Sequence, residues 1–241
     1  MDVKEAAILG EDAGQHWYYT SKGRALLQLL KGLRVETVLD IGAGSGIFSR
    51  QLLEAGVCRR AVCVDPAYDA ERIEQHHGQE IRFSRTADQG PADIVLMMDV
   101  LEHVDDDTGL LAHTTKDLRP QDLVVITVPA FQVLWSGHDE FLDHRRRYTR
   151  QQIEAVVRAA GLVPVKSGYF FSLLFPVAAV QRLFNKWRRK FIAGEAKSAL
   201  GPQGKTVNTV LIGLHDLERK MGFPLNRMAG LTAFCLARRP Q

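Results

Sequence analysis

Val38-Leu39-Asp40-Ile41-Gly42-Ala43-Gly44-Ser45-Gly46 reads as a buried strand that runs into a glycine turn. Val38, Leu39 and Ile41 make the short apolar run of a strand covered on both faces. Three alternating glycines then let the backbone turn tightly toward a helix. A plain reversal needs one glycine with positive φ, so three of them after Asp40 suggest room for a nucleotide-like ligand against the main chain. The dinucleotide pattern is G-x-G-x-x-G, whereas position 47 is Ile47 and the spacing here is Gly42-x-Gly44-x-Gly46. That spacing favours a different adenosyl ligand.

Two further segments extend this reading. Ala61-Val62-Cys63-Val64 is a second apolar run ending in Asp65, about 20 residues beyond the last glycine, where a carboxylate can accept hydrogen bonds from ribose hydroxyls. Asp93 to Val104 runs from an apolar strand toward a helix start, with Asp99 and Glu102 at capping-box spacing. His103 follows, a ring that either faces a substrate or is a satisfied structural group.

The rest of the chain alternates strand and helix. Helices are predicted near Tyr18 to Leu33, Phe48 to Ala55, Ala70 to His77 and Thr108 to Leu118, and strands at Arg60 to Asp65, Ile81 to Ser84, Ile94 to Met98 and Leu123 to Pro129. Thr149 and Gln152 form a capping box opening a helix that Gly161 closes, and strands follow at Leu162 to Tyr169 and Leu231 to Ala237. Such alternation predicts an α/β fold, a doubly wound parallel sheet with ligands at the carboxyl ends of its strands. At 241 residues and 46% hydrophobic content, 1–241 is expected to form a single domain. The charged start Met1-Asp2-Val3-Lys4-Glu5 carries no apolar signal core, and Cys58, Cys63 and Cys235 show no metal spacing, which together predict reduced thiols in a cytoplasmic protein without a metal. His76-His77, with no third ligand at useful spacing, is assigned to solvent.

The glycine turn, Asp65 and the Asp99-Val100-Leu101-Glu102-His103-Val104 run together resemble the class I S-adenosylmethionine-dependent methyltransferases, in particular a bacterial subgroup acting on quinone-type and other small molecules. The likeness covers most of residues 16 to 165 and the last strand, including an H-D then H-x-R-R-Y loop (His138-Asp139, His144 to Tyr148) and the N-terminal His16-Trp17-Tyr18-Tyr19 with Lys22 and Arg24. It implies a seven-stranded, mostly parallel Rossmann-like sheet with the last strand antiparallel, and S-adenosylmethionine as cofactor. It further implies that Asp40, Gly42, Ala43, Gly44, Gly46, Asp65, Pro66, Met98, Asp99 and Val100 bind that cofactor; Lys22 and Arg24 could close over its carboxylate, or the segment is simply an N-terminal helix packed by its aromatics.

The loop after the fifth strand, together with His103 after the fourth, suggests the acceptor chemistry. His103, His138 and His144 are the catalytic candidates, able to take a proton from a hydroxyl at neutral pH. Arg146, Arg147 and Tyr148 are the substrate-binding candidates, the arginines suited to a phosphate or carboxylate. The same arginines could instead pair with Asp139, Glu140 and Asp143 in a surface network. No N-P-P-Y-type clamp for planar amines follows the fourth strand, which favours oxygen as the methylated atom.

About 60 residues separate the last two strands, a helical insertion at 171–228, and residues 1–34 are expected to form an N-terminal helical cover. Leu173, Val177, Val180, Phe184, Trp187 and Phe191 recur at spacings of four and three on one helical face, with Arg182, Lys186 and Arg189 opposite. From Lys166 to Lys205 eight Lys or Arg residues stand against Glu195 alone, whereas the whole chain carries only +3. Such a helix at 171–192 fits an anionic membrane interface, placing the protein at the inner face of a membrane with a lipid-like or prenylated substrate. The competing reading is a lid helix whose apolar face packs on the domain; the absence of an aromatic strand platform argues against nucleic acid. Two rival functions share the opening motif: an NAD(P)-dependent oxidoreductase, and a non-catalytic S-adenosylmethionine-binding subunit.

Overall fold

The computed structural model describes residues 14–86, 90–189, 201 and 204–240, with the backbone alone for 185–189. The charged start, Phe191, Glu195 and Lys197 lie outside the described residues, as do the side chains of Lys186, Trp187 and Arg189.

Among the described residues eight strands form one sheet: β1 (Val35–Ile41), β2 (Cys58–Val64), β3 (Arg72–His76), β4 (Gln79–Ser84), β5 (Ile94–Met98), β6 (Leu123–Pro129), β7 (Val163–Phe170) and β8 (Thr232–Arg238). Their order is β3-β4-β2-β1-β5-β6-β8-β7. The block β4-β2-β1-β5-β6 is parallel, and β8 runs antiparallel to both β6 and β7. Because β1 pairs with β2 on one side and β5 on the other, the crossovers leave β1 in opposite directions, and the crevice at its carboxyl end is the switch point where such sheets take ligands.

The expected seven strands become eight because Arg72–His76, predicted as helix, is an edge strand antiparallel to β4. Arg, Glu and Gln carry good helix propensity, but a hairpin partner at the sheet edge outweighs a few tenths of a kcal/mol per residue. Exposed positions along this strand show no apolar alternation from which pairing could be read.

Helices cover both faces. α1 (Trp17–Leu29) and α2 (Ile47–Glu54) bury Leu26, Phe48 and Leu52 with Val38, Cys63 and Leu96 on one side. On the other side α3 (Asp107–Thr114) and α5 (Arg150–Ala159) bury Leu111, Ile153 and Val157 against Val95, Met97 and Ile126. Each fully buried aliphatic side chain contributes about 1.5–3 kcal/mol. The capping box expected at Thr149 and Gln152 opens α5 as read, and Gly161 follows it in the left-handed region. The one expected at Asp99 and Glu102 is absent: Leu101–His103 is a single 3-10 turn, Asp99 is left-handed at φ 59°, and the helix starts later, capped by Asp106.

Between β7 and β8 lie α6 (Phe175–Arg189) and α7 (Lys205–Met221). α7 docks on α1, where Asn208 accepts from the Trp17 amide at 2.7 Å and His215 stacks on the Trp17 ring at 5.5 Å. On α6, Val177, Val180 and Phe184 are 66%, 70% and 56% exposed, whereas Arg182, assigned to the outer face, turns inward and donates to the Leu134 carbonyl at 3.2 Å. No helix among the described residues is long and apolar enough to cross a membrane.

Candidate functional site

Among the described residues two cavities open at the carboxyl edge of the sheet. One, of about 410 Å³, is bordered by Gly44 and Ser45 of the glycine turn and by Ala67, Tyr68, Asp69, Ala70 and Arg72 beyond β2. Asp65 accepts the Gly44 N–H at 3.0 Å and the Ala67 N–H at 2.9 Å, and the Tyr68 hydroxyl donates to the Gly44 carbonyl at 2.7 Å. These bonds hold the turn open beside the cavity, with Pro66 exposed next to it.

The turn's glycines have two separate reasons. Gly42, Gly44 and Gly46 all sit at positive φ, 64°, 52° and 70°, which strains any side chain. A Cβ on Gly42 would also stand 2.7 Å from Val100 Cγ2, and one on Gly46 3.1 Å from Cys63 Sγ. The chain's own packing therefore demands glycine at these two positions, where the sequence reading invoked a ligand for all three. Ala43 is buried in the core, and Asp40 lines neither cavity: Ser49 donates to its carboxylate at 2.8 Å, and burial pushes the Asp40 carboxyl up to about 6.

The second cavity, of about 350 Å³, is walled by Tyr18, Met98, Asp99, Glu102, Phe171, Leu174, Val177, Leu231 and the three histidines His103, His138 and His144. At its inner end Lys22, only 2% exposed, forms an ion pair with Asp99, and the Tyr18 hydroxyl donates to the same oxygen at 3.0 Å. Burial opposes ionisation of Asp99, but Lys22 and these hydrogen bonds hold its carboxyl below the ordinary range. Glu102 is the converse case. It is fully buried, neither carboxylate oxygen has a hydrogen-bond partner among the described residues, and burial, then the Asp99 charge, raises its pKa well above normal, favouring the neutral acid.

At the other end the loop Trp135 to Tyr148 is organised around Asp139. This residue lies in a short helix, α4 (Gly137–Phe141), whose capping box it completes by accepting the Ser136 amide at 2.8 Å. Arg147 grips the same carboxylate through Nε at 2.7 Å and Nη2 at 2.9 Å, and His144 presents Nδ1 at 3.0 Å. Burial would raise the Asp139 pKa; the hydrogen bonds from His144 and Arg147 overcome it and hold the acid far below normal. His103 and His138 approach the His144 ring with centroids 4.7 and 6.3 Å away. Burial pushes His138 down to about 4, so it is neutral at pH 7.

The three candidate histidines thus converge, and the substrate-binding trio does not. Arg147 is spent on Asp139. Arg146 pairs with Asp107 at 3.4 Å and donates to the Val104 and Asp105 carbonyls, while the Tyr148 hydroxyl lies 2.8 Å from the same Asp107 carboxylate. Arg146 and Tyr148 line neither cavity. Arg24 pairs with Asp216 on α7 instead of closing over a ligand. The alternative pairing of the loop arginines with Asp139 holds for Arg147, but as a buried pair and not a surface network. What sequence reasoning missed is Arg182 as an inward cation; the Ser136-to-Asp139 capping spacing was the available signal for the burial of Asp139. For metals, Glu102, His103 and His144 bring ligand atoms within 4.8 Å of one another, and so do Glu54, His76 and His77. The last pair is therefore not simply solvated, since His76 lies 2.9 Å from Glu54.

Residues 15–167 match the model of a family described as a methyltransferase domain. The chain belongs to that family. Its relatives include an uncharacterized methyltransferase of Mycolicibacterium gilvum, 32% identical over 128 residues (48% of this chain, 50% of that one). A ubiquinone biosynthesis O-methyltransferase of Azorhizobium caulinodans is 31% identical over 158 residues, 56% of this chain and 60% of that one. The methyltransferase chain spans about half the length of these curated relatives. In fold it is similar to a SAM-dependent methyltransferase from Archaeoglobus fulgidus (TM-score 0.54, 16% identity, 98% of each chain). It is also similar to phosphoethanolamine N-methyltransferase 2 of Haemonchus contortus with S-adenosyl-L-methionine (TM-score 0.56, 14% identity, 100% of this chain, 60% of that one). Membership gives this methyltransferase S-adenosylmethionine as its cofactor and does not favour the NAD(P)-dependent oxidoreductase. The residues present fit that group: a left-handed glycine turn opens on a cavity beside an acid at the end of β2, and a second cavity follows at the end of β5.

Proposed function

We propose that this methyltransferase transfers the methyl group of S-adenosylmethionine to an oxygen of a small, anionic and lipid-like acceptor. The observation that carries the reading is His144, held by ionised Asp139 on the wall of an apolar chamber that ends at Asp99. An aspartate accepting from Nδ1–H fixes the imidazole in the tautomer whose basic nitrogen is Nε2, the arrangement a general base needs. His103 and His138 are further candidates beside it. The cofactor supplies a methyl carbon already activated by its sulfonium, so the chain chiefly aligns the groups and excludes water.

The cofactor-binding part of the proposal takes Gly44, Asp65 and Pro66 at the adenosyl end and Met98 and Asp99 at the methionine end, with Gly42, Ala43, Gly46 and Val100 shaping the turn and Asp40 supporting it from below. The name of the Azorhizobium relative supports oxygen and a prenylated class of acceptor. Aromatic and aliphatic walls at Phe171, Leu174 and Leu231 support an apolar acceptor body.

Exposed Val180 and Phe184 beside the basic run of α6 support peripheral contact with anionic lipid at the inner face of a membrane. Vesicles of phosphatidylcholine with phosphatidylglycerol should retain the protein and release V180D/F184D; equal partitioning would end that part. The activity itself is tested with methyl-labelled S-adenosylmethionine and fractionated lipid and soluble extracts. Label in an ether or ester of an extractable molecule supports the reading. Cofactor binding with no transfer to any fraction would leave a non-catalytic binding subunit.

A further inference from the structure

The inward turn of α6 brings one cation into the acceptor chamber. Leu174, Val177, Ala178, Gln181 and Arg182 recur at i, i+3, i+4, i+7 and i+8 along its wall, and Arg182 is the charged member of that face. Its Nη1 donates to the Leu134 carbonyl at 3.2 Å, which uses one of five N–H groups. Among the described residues no carboxylate comes within ion-pair distance of it. Asp139 is near enough to attract it, but that carboxylate already accepts from Arg147 twice, from His144, and from the Ser136 amide and hydroxyl.

Two charge pairs of the chamber compensate each other, and burial favours the neutral acid of Glu102. Asp139 balances Arg147, Asp99 balances Lys22, and His138 is neutral. Burial, with repulsion from Arg147, pushes Arg182 down to about 10, which still leaves it a cation at neutral pH. A guanidinium half-withdrawn from water with no carboxylate in ion-pair range carries part of the cost of a buried charge, and an incoming oxyanion offsets it through two parallel hydrogen bonds.

We propose that Arg182 is the anion-binding residue of the acceptor site, seating a carboxylate or phosphate head that is distinct from the methylated oxygen. The distinction follows from chemistry: an oxygen paired to a guanidinium loses nucleophilicity, and the base that would activate the attacking oxygen, His144, is held elsewhere by Asp139. The acceptor is then an amphiphile, with its head at Arg182 and its apolar body against Leu174, Val177 and Leu231. This assignment rests on the chamber being the acceptor site of the methyl transfer proposed above.

Calorimetry on the protein loaded with S-adenosylhomocysteine, titrated with octanoate and with its neutral counterpart octanamide, tests it. Wild type should bind octanoate at least tenfold more tightly than octanamide. R182Q should lose that preference with S-adenosylhomocysteine affinity unchanged, and R182K, which keeps the charge but not the fork, should retain part of it. A preference undiminished in R182Q overturns the proposal, as does octanamide binding wild type as well as octanoate. If wild type binds the homocysteine product but neither probe, the acceptor-site reading falls and Arg182 with it. Should R182Q not fold, as seen by its failure to bind S-adenosylhomocysteine, the R182K preference decides: a value equal to wild type overturns the assignment, a reduced one supports it.

Discussion

His144 Nδ1 lies 3.0 Å from Asp139 Oδ1, and the same carboxylate is gripped by Arg147, so one buried acid orients a candidate base and neutralises a buried cation. These two duties separate experimentally. Asp139→Asn keeps the shape but leaves the Arg147 guanidinium, 2% exposed, without its charge partner. Loss of one member of such a pair costs about 3–5 kcal/mol, to be read from denaturant unfolding. A variant as stable as wild type would mean that the pair contributes nothing.

His144→Gln spares the pair's charge balance and removes the base. Against the identified acceptor, kcat should fall about 10²–10⁴-fold. Affinity for S-adenosylhomocysteine should stay within about twofold, since the ring stands on the acceptor side of Asp99. Unchanged kcat would assign the proton transfer to His103, His138 or none of the three.

The buried acids predict opposite limbs of a stability profile. Asp40 has its folded value raised from 3.8 to about 6, so it adds stability that is complete below the unfolded value and lost as pH rises through about 6. That gap corresponds to about 3 kcal/mol. Glu102, also raised, acts in the same direction. Asp139 is depressed, so its contribution is present above the unfolded value and lost as the pH falls below it. From these groups, stability should therefore decline on both sides of an optimum near the unfolded value of 3.8. Asp40→Asn should flatten the limb between about pH 4 and 7, while Asp139→Asn should flatten the acid limb. A profile unaltered in Asp40→Asn would show that this carboxyl titrates normally.

At the glycine turn, Gly42→Ala places a methyl 2.7 Å from Val100 Cγ2 at a φ of 64°. The expected loss is about 1–3 kcal/mol, with weaker cofactor binding. Adding Val100→Ala relieves the collision but not the backbone strain, so recovery should be partial. Full stability in the single variant would contradict the packing explanation.

How much of this could be read from the chain depends on the range of the deciding interaction. Strand and turn at 38–46, the run at 123–129 and the Thr149–Gln152 cap rest on neighbours a few residues apart, and each stands where local pattern put it. Arg72–His76 was misread because its strand pairing depends on β4 and not on its own polar residues. Asp99 leaves its expected cap for Lys22, 77 residues away, and Arg182 reverses the expected helix orientation because the carbonyl of Leu134 and the chamber lie beneath it. The convergence of His103, His138 and His144 was legible as candidates; their arrangement required Asp139, whose partners are set by the fold.

The central claim, methylation of oxygen in the Asp99–His144 chamber, is tested most directly by the fate of labelled methyl groups. With methyl-labelled S-adenosylmethionine and extracts of lipid and soluble metabolites, label should enter an amphiphilic anion as an ether or ester, and His144→Gln should slow that transfer at least about 100-fold. Label recovered on nitrogen, or transfer equally fast in His144→Gln, would contradict the account.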